Sequence, residues 1–194
     1  MDLYSIAHFA QAKMPWAWNA IEKVNEWLFV LRYGRRVMNV TVSRIPEGYD
    51  LKKMSEVPTE KIVKFFAHQP EEAFQFFNPH KFDEKSIKRL QKNSSYLAYL
   101  LIDKSNGQIA GYCFNRCFLK GFRDRMVDID YRGNGLGTAM NIILNEVGFG
   151  IGIRLFETVS KDNVASYRSA LSASHVKVVE EIKNNELYLE ILPN

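Results

Sequence analysis

The chain has 194 residues, of which 46% are hydrophobic and 25% are charged, the composition of a folded protein of about one domain. These values exclude a disordered or fibrous protein. The formal net charge of +4 comes mostly from residues 1–44, which hold six basic and three acidic side chains. Residues 45–194 hold 20 basic and 19 acidic side chains. This part of the chain is close to neutral, so we expect no nucleic-acid partner.

The sequence predicts no membrane-spanning or secretory segment. No apolar run reaches the length of about 18 residues that a transmembrane helix needs, and the acidic start at Met1 and Asp2 is not typical of a signal peptide. Cys113 and Cys117 lie four residues apart in a predicted strand, or about 13 Å, whereas a disulfide needs less than about 7 Å. We therefore predict two free thiols and a cytoplasmic location.

Residues 3–33 predict an amphipathic helix, because apolar side chains recur at three- and four-residue steps from Met14 to Leu31. Gly34 is the predicted helix stop. We expect this helix to pack on the domain or on a second subunit. The alternative is an interfacial helix whose arginines bind anionic lipid. The alternating residues 38–43 predict a strand, so residues 1–44 form a predicted N-terminal extension, helix and strand, to a domain of residues 45–194.

Strands and helices mix along the rest of the chain. Helix starts are predicted at Pro58, at Asp83, at Gly135, and at Asp162 or Asn163. Strands are predicted over residues 49–54, 96–102, 109–119, 123–130, 151–159, 176–182 and 187–192. This order predicts a single domain of the α/β or α+β class. None of the four histidines has a cysteine or carboxylate at metal-ligand spacing, so no metal site is predicted.

The segment from Val127 to Thr138 links a predicted strand to a predicted helix through three glycines. Glycine permits positive φ and lets a ligand approach the backbone. The free N–H groups at a helix start and the helix dipole attract anions. The segment therefore predicts a phosphate-bearing ligand, and the alternative is a loop between two packed elements. Its G-x-G-x-G spacing matches neither a dinucleotide fingerprint nor a P-loop.

Residues 132–137 (RGNGLG) fit the R/Q-x-x-G-x-G/A signature of the GNAT superfamily of acyl-CoA-dependent N-acetyltransferases. The residues before them resemble that family's V-x-P-x-Y-R-G-x-G lead-in, except that Ile129 stands where proline is usual. Residues 159–166 resemble its V-x-x-x-N-x-x-S/A segment, and the order of elements over residues 45–194 resembles its fold. The resemblance implies a mixed, mostly antiparallel central sheet flanked by helices, here with an extra N-terminal helical segment.

The resemblance also implies acetyl-CoA as co-substrate. The strand end at Met126 and Val127 would bind the pantetheine arm, parted from its neighbour by a β-bulge, and an N–H near Val127 would polarise the acyl carbonyl. Asn163 and Ser166 would contact the cofactor's arm from the next helix. The pyrophosphate would lie beside Arg132 and against the backbone amides of Gly133, Asn134, Gly135, Leu136, Gly137 and Thr138.

The general acid and general base of the reaction do not follow directly from these motifs. The family often places a tyrosine, as general acid, where this chain has Ala170, and Ser174 and His175 also depart from its pattern. Tyr167 lies one helical turn earlier and is the candidate substitute, the alternative being a packing residue.

Three side chains are candidates for the general base that accepts the amine's proton. Asp128 shares a predicted strand face with Asp130, so that either can raise the other's pKa. Glu157 is expected beside the parted strand. His80 lies in FFNPHKF, which resembles an F-F-x-P-H-x-F segment of some GNAT proteins of surface-polysaccharide and sugar pathways. Each candidate has a structural alternative. Asp128 could be a solvated residue at a strand end, Glu157 a residue of the sheet with satisfied hydrogen bonds, and His80 a capping or core histidine.

The sequence therefore predicts direct transfer of an acetyl group from acetyl-CoA to the amine of a small molecule, with an amino sugar as the first expectation. An acetyltransferase of a protein amine is one alternative. Another alternative is a non-catalytic acyl-CoA-binding module, because Ala170 stands where the family often has its general-acid tyrosine. A weak membrane or dimer contact through the N-terminal helix remains open.

Overall fold

The sheet of this protein is seen in a computed structural model that describes residues 15–182 and 185–193. The strands in those ranges are β1 (Tyr49–Lys53), β2 (Tyr96–Asp103), β3 (Ile109–Phe118), β4 (Lys120–Val127), β5 (Leu155–Ser160), β6 (His175–Ile182) and β7 (Glu186–Leu192). They form one sheet in the order β1-β2-β3-β4-β5-β7-β6. β4 and β5 are parallel, and every other neighbouring pair is antiparallel.

Helices flank the sheet on both faces. They are α1 (Pro15–Asn39), α2 (Thr59–His68), α3 (Glu84–Gln91), α4 (Leu136–Ile151) and α5 (Val164–Ala173). The predicted cap of α3 is present, because the Asp83 carboxylate accepts a hydrogen bond of 2.9 Å from the Ser86 N–H. The predicted fold class, a mixed and mostly antiparallel sheet flanked by helices, is therefore confirmed.

The two faces of the sheet build two separate cores. On one face, which we call the α4 side, Leu101 packs with Ile143 and Leu144 of α4. On the other, which we call the α2 side, Leu100 packs with Ile62 of α2 and Ile87 of α3. Each such buried side chain contributes about 1.5–3 kcal/mol. Strands in the middle of the sheet are therefore apolar on both faces, and β2 is buried along most of its length.

The last five residues of α1 lie beyond the predicted helix stop. Gly34 lies inside α1, which continues to Asn39. These residues contact the core: Val37 packs against it, and the Arg36 guanidinium donates a hydrogen bond of 3.0 Å to the Ile151 carbonyl at the end of α4. These tertiary contacts outweigh the weak local preference of glycine to end a helix. Residues 3–14 of the predicted helix lie outside the described residues.

The strand predicted over residues 38–43 is wrong, because residues 40–46 pair with no strand in the described structure. The alternation is real, since Val40 and Val42 both pack against the core. The backbone finds another partner, however: the Ser43 N–H donates to the Glu146 carboxylate of α4 at 2.8 Å. Two smaller errors concern boundaries. α4 extends to Ile151, so β5 begins later than predicted, and β4 ends at Val127.

The outer face of α1 is apolar and exposed. Phe29 is buried against the core, whereas Trp27, Leu31 and Met38 are 65%, 71% and 77% exposed. The membrane or dimer contact stays a prediction, as does the division of the chain at residue 44. Among the described residues, no helix combines the length and the apolar character needed to cross a bilayer.

Cys113 and Cys117 are free thiols, as predicted, and both are buried. Burial raises the pKa of each thiol to about 12.

We predict that Glu146→Gln destabilises the protein at neutral pH by about 1–2 kcal/mol. Partial burial acts to raise the pKa of Glu146, but hydrogen bonds from Ser43 and Arg44 outweigh it and hold the pKa below its usual value. A lowered carboxylate pKa contributes stability above the unfolded pKa and loses it as the pH falls through the folded one. The difference between the proteins in urea unfolding should therefore shrink on acidification. Exposed Glu47→Gln is the control, and equal midpoints for all three proteins at pH 7 would contradict the prediction.

Candidate functional site

The parallel strands β4 and β5 part shortly after they meet. They pair only at Gly121↔Leu155 and Phe122↔Phe156. Beyond these positions β4 stays bonded to β3 on its other edge, and β5 stays bonded to β7. The inner backbone edges of residues 123–127 and 157–160 therefore face a V-shaped opening, where no strand binds their N–H and C=O groups. The Arg125 N–H donates to the Asp124 carboxylate at 2.8 Å instead. Such groups need partners, which makes the opening a site for an extended polar ligand.

The expected β-bulge in β4 is absent. The register between β3 and β4 runs unbroken from Gly111↔Val127 to Phe118↔Lys120. Charged side chains lie below the opening instead. The Arg123 guanidinium donates to the Glu157 carboxylate at 2.8 Å, and Arg125 lies 3.3 Å from the same oxygen. Arg123 and Glu157 are 0% and 3% exposed, so a buried ion-pair cluster fills the α4 side of the opening.

A glycine-rich turn ends at the wide side of the opening. Gly133 and Gly135 have φ values of +82° and +75°, and a Cβ at either would meet no atom within 4 Å. Gly135 is the N-cap of α4, and neither a capping side chain nor an acidic residue occupies the first turn. The N–H groups of Leu136, Gly137 and Thr138 have no partner within the helix. This turn therefore presents free amides on an open, electropositive surface.

The turn is anchored to α2 and to the β2–β3 hairpin. The Gln69 amide donates to the Asp128 carboxylate at 2.6 Å, and the Gln69 carbonyl accepts from the Ile129 N–H at 3.1 Å. The Tyr131 hydroxyl donates to Asp103 at 2.8 Å. Asp128 also caps the short 3₁₀ helix Ile129–Tyr131. The prediction that Asp128 and Asp130 share a strand face is therefore wrong, because both lie in this turn.

Helix α5 closes the α4 side of the opening. The Arg125 guanidinium donates to the Ser166 carbonyl at 2.9 Å and to the Ser166 and Ser169 hydroxyls at 3.0 and 3.2 Å. The Asn163 carbonyl oxygen caps the helix by accepting from the Ser166 N–H at 3.1 Å. A Cβ at Gly137 would lie 3.5 Å from the Ser169 hydroxyl. The start of α4, the end of β4 and the start of α5 thus meet around one groove.

The surroundings of Tyr167, the candidate general acid, do not mark it as a proton donor. Tyr167 is partly buried and packs against the α4-side core. Ala170 is fully buried on the same helix. The role of Tyr167 as a general acid stays a prediction.

Asp124 is a carboxylate that the sequence analysis missed. It lies on β4 directly opposite Phe114 of β3, on the α2 side, because Phe114 belongs to that core. Burial raises the pKa of Asp124 to about 7, against the smaller lowering effects of the Arg125 N–H and charge. Its neighbours Arg123 and Arg125 point to the other face, where they pair with Glu157. Asp124 is therefore a carboxylate without an ion-pair partner among the described residues, beside the narrow end of the opening.

His80 closes a chain of hydrogen bonds near Asp124. His80 Nδ1 lies 2.9 Å from the Lys81 carbonyl, which can only accept, so Nδ1 carries the proton in the neutral ring. His80 Nε2 then accepts from the Tyr112 hydroxyl at 3.2 Å, which lies 2.7 Å from that of Tyr96. Burial lowers the pKa of His80 and raises those of both phenols, so all three groups are neutral at pH 7.

A histidine and two carboxylates meet beside the glycine-rich turn, a grouping that the sequence spacing did not reveal. Donor atoms of His68, Asp128 and Asp130 lie within 4.8 Å of one another. These atoms already have protein partners, since His68 Nε2 lies 2.9 Å from Asp130 and Asp128 accepts from Gln69. The hydrogen bond from Asp130, followed by the charge of Asp128, raises the pKa of His68. The contact ties α2 to the turn.

Solved structures of acetyltransferases have the same architecture. A ribosomal-protein-S5-alanine acetyltransferase from Vibrio fischeri matches with a TM-score of 0.64 at 16% identity, over 79% of this chain and 97% of that one. The Campylobacter jejuni N-acetyltransferase PseH matches with a TM-score of 0.56 at 19% identity, over 76% and 99%. The chain has the GNAT fold. The fold implied by the sequence resemblance is thus confirmed.

Matches to known proteins come from solved structures and not from sequence searches. No family model matches the sequence, and no curated protein matches it. A further GNAT-fold match is AAC(6')-Ib in complex with paromomycin and acetyl-CoA, with a TM-score of 0.58 at 14% identity, over 75% and 93% of the two chains. Acetyl-CoA is also bound in a second PseH structure.

We predict that Asp124→Asn stabilises the protein at alkaline pH. A folded pKa of about 7, above the usual value of 3.8, means that the folded state holds its proton longer than the unfolded state. Stability therefore falls as the pH rises from about 4 to about 7, and the full penalty remains above that range. The asparagine variant lacks this penalty. Its advantage in urea unfolding should be near zero at pH 4 and largest at pH 8, whereas exposed Asp50→Asn should show no such gain.

Proposed function

We propose that this protein is an acetyl-CoA-dependent N-acetyltransferase that transfers an acetyl group directly to the amine of a small molecule. The observation that carries the proposal is the V-shaped opening between β4 and β5, which leads from the free amides of α4 to Asp124. An unpaired strand edge binds an extended amide-containing arm, and a helix N-terminus binds its phosphates. The GNAT fold supports the same assignment.

The cofactor's phosphates would lie against the amides of residues 133–138, with Arg132 beside them. Positive φ at Gly133 and Gly135 keeps this surface free of side chains. The pantetheine amides would bind the free edge of β4 at Met126 and Val127. Asn163 and Ser166 would border the arm from α5, although the Asn163 oxygen and the Ser166 hydroxyl already bond within the protein. These contacts would direct the thioester toward the narrow end of the opening.

Asp124 would act as the general base in this reaction. A base works best when its pKa lies near the working pH, and burial places that of Asp124 at about 7. Of the three bases expected from the sequence, Asp128 is bonded to Gln69, and His80 already accepts from Tyr112. Glu157 accepts from two arginines, and its protonation would disrupt a buried ion pair. Asp124 has no competing side-chain donor among the described residues.

The chemistry is then a single acyl transfer. Asp124 takes a proton from the acceptor's ammonium group, and the free amine attacks the thioester carbon. A C–N bond forms, the C–S bond breaks, and the thiolate leaves with the bonding pair. The nitrogen, now bonded to the acyl carbon, gives its second proton to the departing thiolate or to water, and the amide results. A backbone N–H near Val127 would stabilise the charge on the carbonyl oxygen. With a thiol pKa of about 8.5, the thiolate leaves without an obligatory acid, so Tyr167 is an optional donor.

The acceptor is proposed to be a small amine, with an amino sugar first. The aromatic segment that contains His80 supports this, because the His80 ring lies 6.4 Å from that of Phe114, the residue opposite Asp124 on β3. A protein amine is the second candidate, since one matched structure is named for a ribosomal protein. Direct binding of acetyl-CoA without turnover would favour the non-catalytic module instead. The cytoplasmic location stays a prediction from the free thiols.

The phosphate site is tested by Thr138→Glu against Thr138→Gln. Position 138 lies in the first turn of α4, where an acidic side chain stabilises a helix, so both variants should fold. The carboxylate of Thr138→Glu would repel the pyrophosphate. The side-chain amide of Thr138→Gln has the same shape but no charge and would not repel it. We expect CoA affinity, measured by calorimetry, to fall about tenfold or more for glutamate and less than about threefold for glutamine. Equal affinities for the two variants would remove the assignment.

The base is tested by Asp124→Asn in an assay of CoA release with a panel of amines. We expect a loss of about 10²- to 10⁴-fold near pH 7. The loss should narrow at alkaline pH, where the amine loses its proton unaided. Wild-type kcat/KM should rise with pH through an inflection near 7, the pKa of Asp124.

The matched comparison is Glu157→Gln, which changes a carboxylate on the opposite face of the sheet. If that variant abolished the inflection while Asp124→Asn retained it, Glu157 would be the base. Unchanged CoA affinity in each variant shows that the site is intact.

A further inference from the structure

Beyond Asp124, the same face of the sheet carries a group of aromatic rings under a lysine. Phe122 of β4, Phe156 of β5 and Tyr188 of β7 lie side by side, with ring centroids 5.3–6.3 Å apart. Phe156 and Tyr188 are nearly parallel, at 12°. We call these rings and Lys120 the Lys120 platform. It lies at the narrow end of the opening, where β4 and β5 still pair.

The Lys120 ammonium is held in one place by these rings. Its nitrogen lies 5.1, 4.6 and 5.0 Å from the centroids of Phe122, Phe156 and Tyr188. It also donates a hydrogen bond of 2.6 Å to the Tyr188 hydroxyl. Cation–π attraction to three rings fixes a side chain that would otherwise sample many rotamers. Lys120 is therefore a positioned charge, partly buried, with two of its three N–H donors unused by the described residues.

The charge of Lys120 is not neutralised by the protein. No carboxylate of the described residues forms an ion pair with it, whereas its neighbours are compensated. Arg154, which also lies over Phe156, pairs with Glu190 at 2.7 Å, and Arg116 pairs with Glu22 at 3.4 Å. An uncompensated ammonium above aromatic faces is complementary to a ligand with an anionic group and an apolar or ring surface.

We propose that the Lys120 platform is an acceptor subsite that binds an anionic group, a carboxylate or a phosphate, on the amine substrate. The inference rests on the proposed function, since it places the amine at Asp124. Lys120 and Asp124 lie on the same face of β4, four residues or about 13 Å apart along the strand. The acceptor is therefore an amine that also carries a negative charge within about 13 Å. A polycationic acceptor such as paromomycin would be repelled by Lys120.

The test compares pairs of amines that differ in one anionic group: a hexosamine with its phosphate ester, and an amino acid amide with the free amino acid. Binding to the full chain saturated with CoA is measured by calorimetry, and turnover is measured separately. We expect wild type to bind the charged member of at least one pair about tenfold more tightly or better. The two pairs decide between phosphate and carboxylate.

Lys120→Met removes the charge and keeps an unbranched chain on the rings, whereas Lys120→Arg keeps the charge. We expect the methionine variant to lose the preference through a higher KM with little change in kcat, and the arginine variant to retain most of it. CoA affinity should be unchanged in both. Equal binding of both members of each pair by wild type, or an unchanged preference in the methionine variant, would overturn the inference. Loss of turnover with every amine, with the charge preference in binding intact, would instead count against the proposed function alone.

Discussion

The feature on which the site depends is the early end of the pairing between β4 and β5. After two residue pairs the strands diverge, and each keeps its hydrogen bonds only with its outer neighbour. A parallel pair that stops in mid-sheet leaves backbone groups unpaired in the interior of the protein, which is costly unless water or a ligand binds them. The divergence also aligns the opening with the start of α4, since β4 leads into the glycine-rich turn. One local break in the sheet thus sets both ends of the groove.

A buried ion pair spans the two diverging strands on the α4 side. Arg123 and Glu157 come from the two diverging strands, and both are almost fully buried. Removing Glu157 would leave two buried guanidinium groups without their shared carboxylate, at a cost of about 3–5 kcal/mol. Arg125 extends the cluster to α5 through Ser166 and Ser169. The pairing is consistent with a structural role for Glu157, although the sequence made it a candidate base.

The sequence predicted the parts of the site that are encoded locally. The glycines at 133 and 135 are needed where φ is positive, and the strand–turn–helix order follows from short patterns. The sequence left the cap of α5 open between Asp162 and Asn163, and the structure has Asn163 there. The sequence could not reveal Asp124, because three consecutive charged residues in the segment KGFRDRMV interrupt any alternation and do not show which face is covered. It also gave no sign that His80, Tyr96 and Tyr112 form one hydrogen-bonded chain. Valines at 40 and 42 matched a strand pattern, but a carboxylate on α4 took the place of a neighbouring strand.

The sheet also separates charges of different kinds. Along β4, Arg123 and Arg125 point to the α4 side, whereas Lys120, Phe122 and Asp124 share the other face. Two arginines adjacent in sequence to Asp124 would hold its carboxylate ionised if they shared its surroundings, but strand alternation directs them away. Burial therefore dominates, and the pKa of Asp124 stays near 7. A carboxylate that can accept and release a proton at neutral pH follows from the two-residue period of a strand, combined with burial on one face and ion pairing on the other.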